Sequence, residues 1–202
     1  MKVGTRSVLF GAHCFFLHPL FVALAWWRLY GFPFDPRLWV AFFVHDLGYL
    51  GKPNMDGAEG EEHPWLGAKI MNVLFDDTAP FVAIVDWQRP LQRWFDFTLY
   101  HSRFLAKRHG RPHSRLCVAD KLAFTLEPAW LYLPRVALTG ELREYMSHHA
   151  DGMRYGDGSA SAHCGAWQWH AEVCRHLRAW VAEHRDGRRD TWTPQPEARR
   201  KL

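Results

Sequence analysis

The sequence predicts an all-α protein, and three observations predict it. Pro and Asp-Pro steps stand where helices would start, apolar residues recur at helical spacing, and no run of alternating residues is long enough to build a sheet. With 202 residues, 48% of them hydrophobic, the chain can bury a full core, which excludes collagen-like, coiled-coil and disordered classes. No repeat of fixed period and no interior linker occurs, so residues 1–184 read as one domain. The last stretch, 185–202, holds six basic and three acidic residues and reads as a basic, partly disordered tail.

Taken in order, residues 8–27 carry no Asp, Glu, Lys or Arg and imitate a signal peptide or membrane span. His13, His18 and Pro19 interrupt that run, so it reads as a buried helix of a soluble protein, with a membrane anchor as the alternative. His18-Pro19 opens a helix ending near Gly31, Asp35-Pro36 one ending near Gly48, and Pro64 a third running through Phe75. The polar, Gly-rich connection GKPNMDGAEGEEH between the last two reads as a loop, of a kind that can cover a site. Further helices are expected over 91–108, 115–126, 141–149 and 166–184, the last with a stripe at Ala166, His170, Val173, Cys174, Leu177, Trp180 and Val181. DGMRYGDGSASAHCG reads as a loop, and EPAWLYLPRVALTGELREY as core packing, with a pocket wall or a homodimer face as alternatives.

The formal charge of +4 sits mostly in the tail, which leaves a nearly neutral body and no stable nucleic-acid partner expected. Cys14, Cys117, Cys164 and Cys174 form no CxxC pair, so reduced thiols and a cytoplasmic location are the default expectation. Among 13 histidines, spacing has to select the functional ones. His45-Asp46 closes an intensely apolar stretch, where two adjacent ionisable groups are costly unless paired or bound to metal. On a helix they would point about 100° apart, so that Asp46 could bridge to a second ion. His148-His149, by contrast, reads as an exposed pair near a helix end.

At these residues the chain resembles the HD superfamily of metal-dependent phosphohydrolases, an all-helical family built on a His, a His-Asp pair and a later Asp. HPLFVA at His18 is similar to the first-ligand helix of members that act on hyperphosphorylated guanosine nucleotides, and it lies 27 residues before His45. His63-Pro64-Trp65-Leu66-Gly67-Ala68-Lys69-Ile70 is similar to the HPxxGAxIL helix of HD-GYP phosphodiesterases and HD-type di-iron oxygenases, where the His binds a second metal. Tyr100-His101 then supplies the next His, and Ala119-Asp120-Lys121-Leu122 resembles the closing ADxL element. The resemblance implies a compact HD-domain bundle with extra C-terminal helices, and it covers nothing after Leu126. It implies the metal ligands His18, His45, Asp46, His63, His101 and Asp120, holding two divalent ions, iron or manganese foremost, with zinc, cobalt and nickel compatible. His13 competes with His18, but on an unbroken helix it would stand about 140° from that face.

What this implies chemically is attack by a metal-activated water on a small phosphorylated substrate, a phosphate ester or nucleotide, with Asp46 as the catalytic carboxylate orienting the water. Lys52, Arg103, Lys107 and Lys121 are the candidate substrate-binding cations, with Arg108 two turns beyond His101. The chain departs from the family in three places. Tyr49 replaces the Lys of HDxGK, no GYP signature follows His101, and HDxxE fails at Tyr49. Two alternatives stand beside the hydrolase: a di-iron oxygenase acting on a small polar substrate, and a non-catalytic sensing or interaction domain.

Overall fold

The computed structural model describes residues 2–55, 59–76, 93–150 and 165–186. These form ten α-helices, α1 (Val3–Phe10), α2 (His18–Tyr30), α3 (Pro36–Val44), α4 (Pro64–Phe75), α5 (Arg93–Leu99), α6 (Arg103–Arg108), α7 (Arg115–Leu126), α8 (Ala129–Thr139), α9 (Glu141–Ala150) and α10 (Ala166–His184). Two single-turn 3-10 segments, Leu47–Tyr49 and Gly60–Glu62, complete them, and no strand occurs among the described residues. The fold is all-α, as the helix signals predict. Residues 187–202, most of the 151–165 loop and the side chains of His148 and His149 lie outside the described residues.

The helix starts follow from local chemistry. Pro19, Pro36 and Pro64 occupy first-turn positions, where the missing N–H costs nothing. Asp35, Ser102 and Ser114 cap α3, α6 and α7 by accepting from the amides of Arg37, Leu105 and Cys117. Asp76, just past α4, accepts from the amides of Trp94 and Phe95 and so ties the start of α5 to the end of α4.

Three boundaries differ from the sequence reading, each for a physical reason. The apolar run 8–27 is two helices, because α1 stops at Gly11 and the chain turns before α2; no described helix is long and apolar enough to cross a membrane. The helix expected to reach Gly48 ends at Val44, so His45-Asp46 stands at a helix end rather than on a helix face. The described part of 91–108 breaks at Tyr100–Ser102, where Ser102 starts a new helix; Arg108 therefore shares no continuous helical face with His101.

The largest core joins α2, α3, α4, α5 and α7. Helices α2 and α7 pack against each other, and Ala23, Ala25, Ala119 and Ala123 are among the buried residues of this cluster. Each fully buried large residue there, such as Leu116, contributes about 2 kcal/mol. A second cluster, with Tyr132, Val136, Trp169, Val173 and Leu177, packs α8 and α10 together. The expected core role of EPAWLYLPRVALTGELREY is met by Tyr132, Leu133 and Val136, and Tyr132 also faces a cavity.

Candidate metal centre

Five elements deliver the six expected ligands to one place. His18 is the first residue of α2, His45 and Asp46 follow α3, His63 immediately precedes α4, His101 follows α5, and Asp120 lies within α7. All six are buried. Two glycines make the approach possible. A Cβ on Gly48 would stand 1.9 Å from the carbonyl oxygen of His63, and one on Gly67 would stand 2.5 Å from that of Val44 and 3.0 Å from Cα of His45. The glycines of the HDLG and HPWLG segments thus lock the His-Asp turn against the start of α4.

Two groups form around a shared carboxylate: His18, His45, Asp46 and Asp120, and Asp46, His63 and His101. Asp46 Oδ2 lies 3.4 Å from His18 Nε2 and 3.1 Å from His45 Nε2, and Asp120 Oδ1 lies 3.0 Å from His18 Nε2. Asp46 Oδ1 faces the other way, 3.5 Å from His63 Nε2 and 3.4 Å from His101 Nε2, and those two nitrogens are 3.1 Å apart. Donors each about 2.1 Å from a common ion stand about 3.0 Å apart at right angles and about 3.4 Å apart at tetrahedral angles. The observed separations span that range.

The donor set fits metal ions on a second count. His18 Nε2, His45 Nε2 and Asp46 Oδ2 are buried and make no hydrogen bond within the described structure, an arrangement costly to leave uncompensated. Their orientation is fixed from behind. His45, His63 and His101 each point Nδ1 at the carbonyl three residues earlier, Phe42 at 2.9 Å, Gly60 at 2.7 Å and Thr98 at 2.6 Å. Donation there puts the lone pair on Nε2, toward the centre.

Protonation is set in the same sense. Burial opposes ionisation of Asp46, but the surrounding imidazoles, His45 and His13 foremost, hold its carboxyl well below the usual range. Burial likewise opposes ionisation of Asp120, and the Lys121 ammonium, with His18, outweighs it. Burial and the neighbouring His101 push His63 well below the ordinary imidazole value, against the pull of Asp46. Ionised carboxylates and a neutral imidazole are the forms that ligate metals.

A cavity of about 160 Å³ opens over the centre, with His18, Asp46, His63, His101 and Asp120 in its lining. Arg103 and Lys121, two of the four expected substrate-binding cations, stand on its wall. The Arg103 guanidinium rests 5.1 Å from the Trp180 ring, and Lys121 Nζ lies 2.6 Å from Asp120 Oδ2. Lys52 and Lys107 do not line this cavity; Lys52 instead uses its carbonyl to hold Gly4 at the start of α1. Met55 and Glu61, from the described part of the 51–63 connection, do line it, so that connection borders the cavity. Phe124, Tyr132, Trp169 and Leu177 supply an apolar side.

Sequence reasoning did not place two residues at the site. His13 belongs to neither ligand group, as expected, yet the turn after Gly11 brings it to the cavity, with Nε2 4.0 Å from Asp46 Oδ2. Its Nδ1 lies 2.8 Å from Ser7 Oγ, which donates over 2.5 Å to the fully buried Glu141. Glu141 also accepts from the Ala12 amide and the Thr139 and Tyr145 hydroxyls. Ser7 has one proton and gives it to Glu141, so His13 donates from Nδ1 and keeps Nε2 as an acceptor; burial lowers its pKa although Asp46 pulls the other way. The rotation argument for an unbroken helix could not find this, because the helix is broken. Tyr49, read only as a departure from the HDxGK and HDxxE patterns, stacks on His63 with ring centres 3.8 Å apart. No protein-family model matches the chain, and neither a curated protein nor a solved structure shows significant similarity to it.

Proposed function

We propose that the chain is a divergent HD-type phosphohydrolase that cleaves small phosphate esters, nucleotides among them, at a dinuclear metal centre. The observation that carries this reading is the carboxylate of Asp46, whose two oxygens face two separate histidine groups. When bound, two divalent ions at such a centre supply a Lewis acid for a phosphoryl oxygen and an activated water near neutral pH. Iron and manganese suit the mixed imidazole and carboxylate donors, and zinc, cobalt and nickel are compatible.

The chain's own residues provide the rest. Asp46 holds both groups in register, and carbonyl-anchored imidazoles keep the donors fixed. Arg103 and Lys121 line the cavity and give its wall positive charge that suits a phosphoryl group, which supports the hydrolase over an oxygenase built on the same ligands. His13 presents an acceptor nitrogen to the cavity, held in that tautomer by Ser7 and Glu141. The apolar side, with Phe124 and Trp169, limits water around the reacting group.

Elemental analysis of wild type and Asp46→Ala, paired with a phosphoester panel under strict anaerobiosis, tests the proposal. The expected result is about two metals per wild-type chain, loss of both in the variant, and oxygen-independent phosphate release. Substrate-dependent O₂ uptake without phosphate release would assign the centre to oxygenase chemistry. A chain that binds no metal would leave a non-catalytic domain.

A further inference from the structure

The apolar side of the cavity comes from three helices. Phe124 of α7, Tyr132 of α8 and Trp169, Val173 and Leu177 of α10 line it, and the Phe124 ring stands edge-on to Tyr132 at 4.9 Å and to Trp169 at 6.3 Å. Among the described residues of the lining, three hold a buried polar atom without a hydrogen-bond partner: His18, Asp46 and Trp169. The first two belong to the metal centre. The third does not.

Trp169 is only 2% exposed, and its indole Nε1 has a hydrogen to donate and no lone pair with which to accept. A donor buried in this way is costly unless a ligand supplies the acceptor. Neighbouring polar groups are already engaged. The Tyr145 hydroxyl donates to Glu141 Oε1 at 3.2 Å, and the Glu127 carboxylate is held by Arg135. Against so apolar a side the hydroxyls of a sugar or polyol would lose water and gain little, whereas a flat ring meets rings that pack edge-on. At about 160 Å³ the cavity is comparable to one that holds a single benzene ring, about 150 Å³, so the group it takes is compact.

We propose that Trp169 is a specificity-determining residue, whose indole N–H binds an acceptor on the organic group of the substrate, an uncharged aromatic ring seated against Phe124, Val173 and Leu177. The phosphate of the same molecule lies toward Arg103, Lys121 and the metal ligands. This rests on the hydrolase reading and narrows its small phosphate esters to those with a compact ring that bears an acceptor, such as a carbonyl oxygen or a ring nitrogen. One donor on an otherwise apolar wall fixes the orientation of such a ring and discriminates against a ring that lacks the acceptor.

Two phosphate-free probes test the site on the full-length, chelator-treated protein: acetophenone, a ring with a carbonyl acceptor, and ethylbenzene, a similar ring without one. Calorimetry is expected to show both bound by wild type, and Trp169→Phe to weaken acetophenone relative to ethylbenzene about threefold to tenfold, the worth of one hydrogen bond. The carbonyl stretch of acetophenone bound to wild type, expected below its value in hexane, gives the same reading if the variant does not fold. The metal-loaded enzyme then receives 4-acetylphenyl phosphate, 4-ethylphenyl phosphate and glycerol phosphate. Glycerol phosphate is expected to have the lowest kcat/KM, and Trp169→Phe to lower the acetyl-to-ethyl ratio by the same factor, a change that cancels the difference between leaving groups. Failure of both probes to bind, an unshifted carbonyl stretch, or ratios indifferent to Trp169→Phe overturns the proposal. Trp169-dependent binding of acetophenone with no ester hydrolysed upholds the ring site and removes the hydrolase reading, and hydrolysis indifferent to Trp169 does the reverse.

Discussion

The His18 group has a carboxylate of its own, Asp120 within α7, whereas the His63 group pairs two imidazoles at helix ends with only the shared carboxylate of Asp46. His18 and Asp120 sit on α2 and α7, which pack against each other, and His45 follows α3 of the same cluster. His63 follows the 51–63 connection, and His101 lies in the break between α5 and α6, over a smaller cluster. The first half of the centre thus has two carboxylates and the second only the shared one. An ion held by the first group would therefore meet more negative charge than one held by the second, and the second ion would exchange more readily.

The largest expected effects come from removing one ligand from each half. His101→Ala leaves about one ion per chain, because the first group keeps all four of its donors. Asp120→Ala reduces the first half to the donor set of the second, so a chelator strips both together, with metal affinity falling by at least on the order of tenfold to a hundredfold. Elemental analysis along a chelator titration reads both outcomes. Equal retention in the two variants would erase the asymmetry.

Much of the fold was legible because its signals are local. Pro19, Pro36, Pro64 and the serine caps act within one turn of chain, and the observed starts of α2, α3, α4 and α7 follow them. The six candidate ligands came from the family resemblance and its motif order, and the structure gathers all six. What escaped depends on contacts distant in sequence. Glu141 holds the turn after α1 from 129 residues away, and that contact carries Ser7 and with it His13. Tyr49 looked like a deviation because stacking on His63 requires the close approach that Gly48 permits, which no linear pattern displays.

A smaller effect sharpens the comparison through Gly48. Alanine there would place its Cβ 1.9 Å from the His63 carbonyl oxygen, a backbone atom that can yield only by moving the start of α4. Gly48→Ala is expected to cost about 1–3 kcal/mol of stability by overpacking. It is also expected to weaken the second ion about tenfold while leaving the first in place, since a displaced His63 touches one half alone. A melt and a metal titration on the same sample separate these two effects. Loss of both ions in parallel would show that the His45-Asp46 turn, rather than α4, had moved.

The smallest effect is one of pH, read on chelator-treated protein. The folded pKa of His63 is depressed by burial and by His101, so its contribution to stability is complete above the unfolded value of about 6.5 and is lost as pH falls. Over that window the unfolded chain takes a proton that the folded chain refuses, with a slope of about 1.4 kcal/mol per pH unit. His45 runs the opposite way. Burial lowers its pKa, but Asp46 raises it further, so its contribution is present below about 6.5 and fades as pH rises through the folded value. Protonation thus penalises the second half and spares the first. Melting curves taken from about pH 7.5 to about pH 5.5 should fall more steeply for wild type than for His63→Gln, which has no proton to refuse. Parallel curves would mean that His63 already carries its proton in the folded chain, and the difference between the halves would then rest on carboxylate count alone.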